Sequence, residues 1–71
     1  MNTTTELIIS RLPKRPVLSP LDISRAVGMA TASSILTACK NGEIQANIIG
    51  HRYLIARDEA IRWLTEQEGK L

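Results

Sequence analysis

Gly42-Glu43-Ile44-Gln45-Ala46-Asn47-Ile48-Ile49-Gly50-His51-Arg52-Tyr53-Leu54-Ile55-Ala56-Arg57-Asp58-Glu59-Ala60-Ile61-Arg62-Trp63-Leu64 decides how the chain is read. From Glu43 to Ile48 the side chains alternate in part, Ile44, Ala46 and Ile48 against Gln45 and Asn47, as on a half-buried strand. Arg52-Tyr53-Leu54-Ile55 returns, and Gly50-His51 supply the two-residue turn of a β-hairpin. Asp58 and Glu59 then open a helix whose inner face is Ala60, Trp63 and Leu64. Asp58 with Arg62, and Arg62 with Glu66, have the spacing of ion pairs along its outside, and Gly69 is its expected end.

Two helices precede this segment. Ser19-Pro20-Leu21-Asp22 is a helix start, with a serine N-cap, proline at the first position and an acid three residues after the cap. Ile23, Ala26 and Val27 share one face, and Gly28 is a C′ residue able to take positive φ. Met29-Ala30 forms the turn and Thr31 caps the next helix. Ile35, Ala38 and Cys39, with Leu36 in part, face inward, whereas Ala32, Ser33, Ser34, Thr37, Lys40 and Asn41 face outward. Asn41-Gly42 ends that helix. The expected fold is mainly α with a small β-hairpin, in the order helix, turn, helix, hairpin, helix over residues 18–69.

Residues 1–17 read as an N-terminal arm and linker. Thr3 and Glu6 have capping-box spacing ahead of Leu7, Ile8, Ile9 and Leu12, so a short helix ending before Pro13 fits, although a strand through Leu7–Ile9 is nearly as good a reading. Packing on the body is the favoured fate of the arm, ahead of a dimer contact or a loose end, because four large apolar residues are costly to expose. Lys14-Arg15 between two prolines reads as a connector that can follow a phosphate backbone.

A chain of 71 residues is one small domain with a marginal core. With no Phe and one each of Trp and Tyr, that core must be aliphatic, with Trp63 its largest expected contributor. An enclosed substrate pocket typically needs roughly 300 Å³ or more, which argues against an enzyme, and neither a cofactor nor a small-molecule substrate is expected. The formal net charge is +2. Residues 1–17 and 18–57 each carry an excess of two positive charges, and residues 58–71 carry an excess of two negative ones. A polyanion therefore meets the first three-quarters of the chain. One cysteine, Cys39, leaves no internal disulfide and favours a reducing compartment; without an accompanying acid or histidine it reads as core, not nucleophile. One Cys and one His make no metal site. No leader or long apolar run is visible, so the expected location is cytoplasmic, away from membranes.

With these residues placed, the chain resembles the excisionase-type, MerR-like winged helix-turn-helix family of phage and bacterial regulators. Ser19, Gly28, Gly42-Glu43-Ile44, Ile49-Gly50, Arg52-Tyr53, Ile55, Arg57 and Trp63-Leu64 fall on matching positions, over residues 18–64. The spacing from Gly28 to Gly42 is one residue longer than usual, Ala56 stands where the pattern has proline, and the outer face of the recognition helix lacks the arginines and lysines members often carry. The resemblance implies a sequence-specific double-stranded DNA-binding protein, either an excisionase (a recombination directionality factor) or a small transcriptional regulator. Its recognition helix would enter the major groove and its wing the minor groove. An integrase, or further copies bound side by side, are the implied partners. Carried over, Thr31, Ser33, Ser34 and Thr37 would donate to phosphates or base edges, Lys40 would take a phosphate, and His51 with Arg52 would occupy the wing tip. For the Ser and Thr residues the alternative is capping and solvated helix surface; Arg57 could equally pair with the acids after it. Two other functions fit the same scaffold: a protein-interaction module that has lost DNA contacts, and a packaging-type, terminase small-subunit-like site reader.

Overall fold

The computed structural model describes residues 3–28 and 30–70, with side chains through residue 67. Four helices and three short strands follow in the order α1 (Thr3–Arg11), β1 (Val17–Leu18), α2 (Pro20–Val27), α3 (Ala32–Lys40), β2 (Asn47–Ile49), β3 (Arg52–Ala56) and α4 (Arg57–Lys70). The chain is thus mainly helical with a small hairpin, and the expected turn residue Met29 lies outside the described residues.

The best-defined start is that of α2. Ser19 sits in extended backbone at φ −95°, its hydroxyl accepts from the Asp22 N–H at 3.2 Å, and its own N–H donates to the Asp22 carboxylate at 3.0 Å. This reciprocal pair satisfies two donors that a helix start leaves open. Burial alone would raise the Asp22 carboxyl; the Ser19 N–H and hydroxyl, helped by Arg15, more than offset it and hold the group below its ordinary value. Ser19→Ala is expected to cost about 1 kcal/mol, read as a lower melting midpoint; an unchanged midpoint would contradict the role of this box. At the other end Gly28 takes φ +83°, a conformation other residues avoid, and its N–H bonds the Ser24 carbonyl. α3 begins on Thr31, whose hydroxyl accepts from the Ser34 N–H, and α2 packs on α3.

The arm is helical and packed. Thr5, Ile8 and Ile9 of α1, with Leu12 just after it, fall at the i, i+3, i+4, i+7 spacing of one helix stripe: Thr5 and Leu12 are buried, and Ile8 and Ile9 lie against the core. Leu7 falls off that stripe and stays exposed. The helix already includes Thr3, so Thr3 is not its N-cap.

The sheet has order β1-β3-β2, all antiparallel. Asn47, Ile48 and Ile49 pair with Leu54, Tyr53 and Arg52, while Val17 and Leu18 pair with Ala56 and Ile55. β1 was not legible in the sequence: two residues after a proline carry no periodicity. The expected strand from Glu43 is also shortened. Only residues 47–49 pair; Ile44 is buried ahead of the strand, and Ile48, expected on the inner face with it, is exposed. The hairpin extends past the core, so alternation there has no interior to point toward.

Ten aliphatic side chains form one core, among them Leu12, Leu18, Ile23, Ile35, Ile44 and Ile55. Trp63, expected as the largest contributor, is not among these buried side chains. It packs against the core half-buried, its indole Nε1 buried without an acceptor among the described residues. α4 runs through Gly69 to Lys70 instead of ending at the glycine. One glycine in a helix is unfavourable by about 1 kcal/mol relative to alanine, which need not stop it.

Candidate nucleic-acid interface

The residues singled out from sequence form two groups. On α3, Ser33, Thr37 and Lys40 follow one another at i, i+4, i+7 spacing along an exposed stripe, with Thr31 and Ser34 at its N-terminal end. At the hairpin tip, His51 is in the turn and Arg52 opens β3, both exposed.

Several of the hydroxyls are already engaged. The Thr31 and Ser34 hydroxyls hydrogen-bond each other at 3.1 Å, and the Thr37 hydroxyl donates to the Ser33 carbonyl at 2.9 Å. That leaves the Ser33 side chain as the hydroxyl of this face without a partner among the described residues. Direct reading of base edges from α3 is therefore slender. Thr31 does serve as a cap, the blander of the two roles set out for it.

Some cations are engaged within the molecule and others are not; Arg11 and Lys14 of the arm are exposed and make no ion pair among the described residues. Arg15 pairs with Asp22 at 2.9 Å. Among the described residues Arg57 does not pair with the acids after it: its Nε donates to the Pro13 carbonyl and its backbone N–H to the Pro16 carbonyl, clamping the linker to α4. Arg62 engages Glu59 and Glu66, not Asp58 as its spacing allowed. Arg25, Lys40 and Arg52 make no ion pair within the described residues, and all three are exposed on α2, α3 and β3. Arg25 was not among the residues expected from sequence; its position in the last turn of α2 was the available signal.

A polar staple positions the hairpin relative to α3. The segment after α3 turns at Gly42 (φ +81°), and the N–H groups of Glu43 and Ile44 both reach the Ala38 carbonyl. Glu59 then accepts from the Gln45 N–H at 2.8 Å, and the Arg62 Nη2 donates to the Glu43 carbonyl at 2.9 Å. Hydrogen bonds from Arg62, above all, together with the Gln45 N–H hold the Glu59 carboxyl down at about 2, against an ordinary value of 4.5, although burial pulls the other way. The Arg62 guanidinium is correspondingly raised by Glu59 and Glu66. Because the folded value lies below the unfolded one, this stabilisation is complete above about pH 4.5 and fades as pH falls toward 2. Glu59→Ala is expected to cost about 1–2 kcal/mol at neutral pH and to flatten the acid limb of a stability-versus-pH curve. An acid limb identical to wild type would contradict the staple.

Burial pushes the Cys39 thiol up, which makes it a poor nucleophile at neutral pH. Among the described residues no cluster of His, Cys, Asp or Glu is suited to a metal ion, and no helix is long and apolar enough to cross a membrane. Comparison with protein families, with characterised proteins and with solved structures finds no match.

Proposed function

We propose that the chain is a small DNA-binding protein in which α2 and α3 act as a helix-turn-helix and β2–β3 as a wing. The observation that carries this reading is the division of the cations. Arg15 and Arg57 about the linker and Arg62 of α4 are engaged within the molecule, whereas Arg25, Lys40 and Arg52 of α2, α3 and the hairpin, like Arg11 and Lys14 of the arm, are exposed without an ion pair among the described residues. No acid occurs from Ile44 to Ala56 to oppose an external anion. Lys40 and Arg25 then neutralise phosphates flanking the major groove, α3 lies in that groove, and Arg52 and His51 follow the hairpin to the minor groove.

The mild outer face of α3 assigns most of the affinity to phosphates and little to bases. Binding by one copy is weak. The roles best served are those of an excision-type recombination factor or a small regulator, where an integrase or neighbouring copies on DNA supply the remaining affinity. Titration of the purified chain against duplex DNA at several salt concentrations tests the proposal. Three phosphate contacts predict a slope of log K against log salt of about −2.7. Absence of binding to duplexes from the native locus, even at low salt, would sink it. Self-association with DNA binding absent throughout would instead support a protein-interaction module, for which exposed Leu7, Val17 and Leu21 offer apolar surface.

A further inference from the structure

Lys40 and Arg52 sit on elements that hardly touch. α3 packs on α2, whereas β3 packs on α4 and α2, with little direct contact between α3 and either hairpin strand. Every residue of β2 is exposed, so the core does not hold the hairpin through that strand. What relates the two cations in space is therefore the connection of residues 41–46 and the groups that hold it.

The first half of that connection follows α3. The Asn41 N–H bonds the Thr37 carbonyl and the Glu43 N–H that of Ala38, both at 2.9 Å, and Ile44 is buried. The second half is held by α4. Arg62 donates to both oxygens of Glu59, from Nε at 2.7 Å and from Nη2 at 2.6 Å. One of those oxygens also accepts from the Gln45 N–H, and the same Nη2 reaches the Glu43 carbonyl. A guanidinium fork on a carboxylate is planar and has little freedom to swing. An ion pair along the outside of one helix contributes little to stability by itself. This one reaches across to two backbone groups of another segment, and so fixes geometry. Residues 58–71 carry an excess of acid, so α4 is not itself a surface for a polyanion.

We infer that Glu59 and Arg62 are positioning residues for DNA binding: through Gln45 and Glu43 they set the hairpin relative to α3, so that Arg52 meets a phosphate while α3 lies in its groove. The inference rests on the DNA-binding reading above. Without the staple α3 still meets DNA, but the hairpin must be ordered at the moment of binding. That entropic cost offsets what the Arg52 contact contributes.

The test uses the full chain and a fluorescent duplex from the native locus, with affinity read by anisotropy and folding checked by circular dichroism. Arg52→Ala and Lys40→Ala are each made in the wild type and in Glu59→Ala. In the wild type, at about 0.1 M salt, either loss is expected to weaken binding roughly tenfold. In Glu59→Ala, Lys40→Ala is expected to cost as much as before and Arg52→Ala to cost little. Arg62→Ala as the background should repeat this pattern. Glu59→Gln, which keeps an acceptor for the Gln45 N–H, should show it more weakly, and it takes the place of an alanine variant that does not fold. An Arg52→Ala loss of the same size in every background makes the pair merely structural, and so does a background that removes the contributions of Lys40 and Arg52 together. Either outcome overturns the inference and leaves the DNA reading standing. An Arg52→Ala variant that binds as the wild type does overturns the inference as well. No binding by the wild type at low salt overturns both readings.

Discussion

Ile55→Ala is expected to remove about 2–5 kcal/mol of stability. Ile55 is 0% exposed, sits on the central strand of the sheet, and pairs with Leu18 of β1 on the core side. It therefore joins the linker strand to the helical layer, which α4 and α2 cover. A chain of 71 residues has on the order of 4–10 kcal/mol in total. The loss takes a large share of that and leaves the variant partly unfolded at physiological temperature. In urea, with a slope of about 1 kcal/mol/M for a domain this small, the midpoint should fall by about 2 M or more. Ile55→Val, which removes one methylene, should cost about 0.5–1.5 kcal/mol. A midpoint shift for alanine no larger than that for valine would mean that the sheet does not anchor the core at this position.

The second large effect concerns binding. Replacing Arg25, Lys40 and Arg52 together by alanine is expected to weaken DNA binding by several hundredfold. At about 0.1 M salt a phosphate contact contributes roughly tenfold, and three contacts flatten the salt slope by about 2.7. Folding should be little affected, since the three side chains hold no ion pair among the described residues. Arg11, an exposed cation of α1 remote in sequence from both groups, is the matched control, and Arg11→Ala should leave the slope as it was. A loss for the control equal to that of the triple variant per charge removed would show that binding is diffuse attraction by net charge, with no oriented surface behind it.

Much of the local architecture was legible from residues a few positions apart. The Ser19 cap, the Gly28 stop, the Thr31 cap and the Gly50-His51 turn all hold because cap and turn chemistry acts within four residues. Where reading failed, the deciding partner was distant or the periodicity had no interior to obey. Arg62 had two acids on its N-terminal side, Asp58 and Glu59; the structure selects Glu59, which can accept from Gln45 N–H at the same time. Trp63 was expected to be the largest contributor to the core; the aliphatic side chains close around one another and leave it packed against them half-buried. Ile48 alternated correctly with its neighbours and is exposed all the same, because β2 stands beyond the core.

The sequence alone determined where α2 and α3 start and stop, where the hairpin turns, and that the core is aliphatic, since backbone propensity, capping and side-chain period are properties of neighbouring residues. Only the tertiary structure decided which cations remain free. Arg57 is held by Pro13, 44 positions away, and the link between α3 and the hairpin is held by Glu59 and Arg62 of α4. Such contacts depend on which surfaces the packed core brings together, and no local signal records them. With Arg15, Arg57 and Arg62 occupied, Arg25, Lys40 and Arg52 are left without an ion pair on α2, α3 and β3, and Arg11 and Lys14 on the arm, among the described residues.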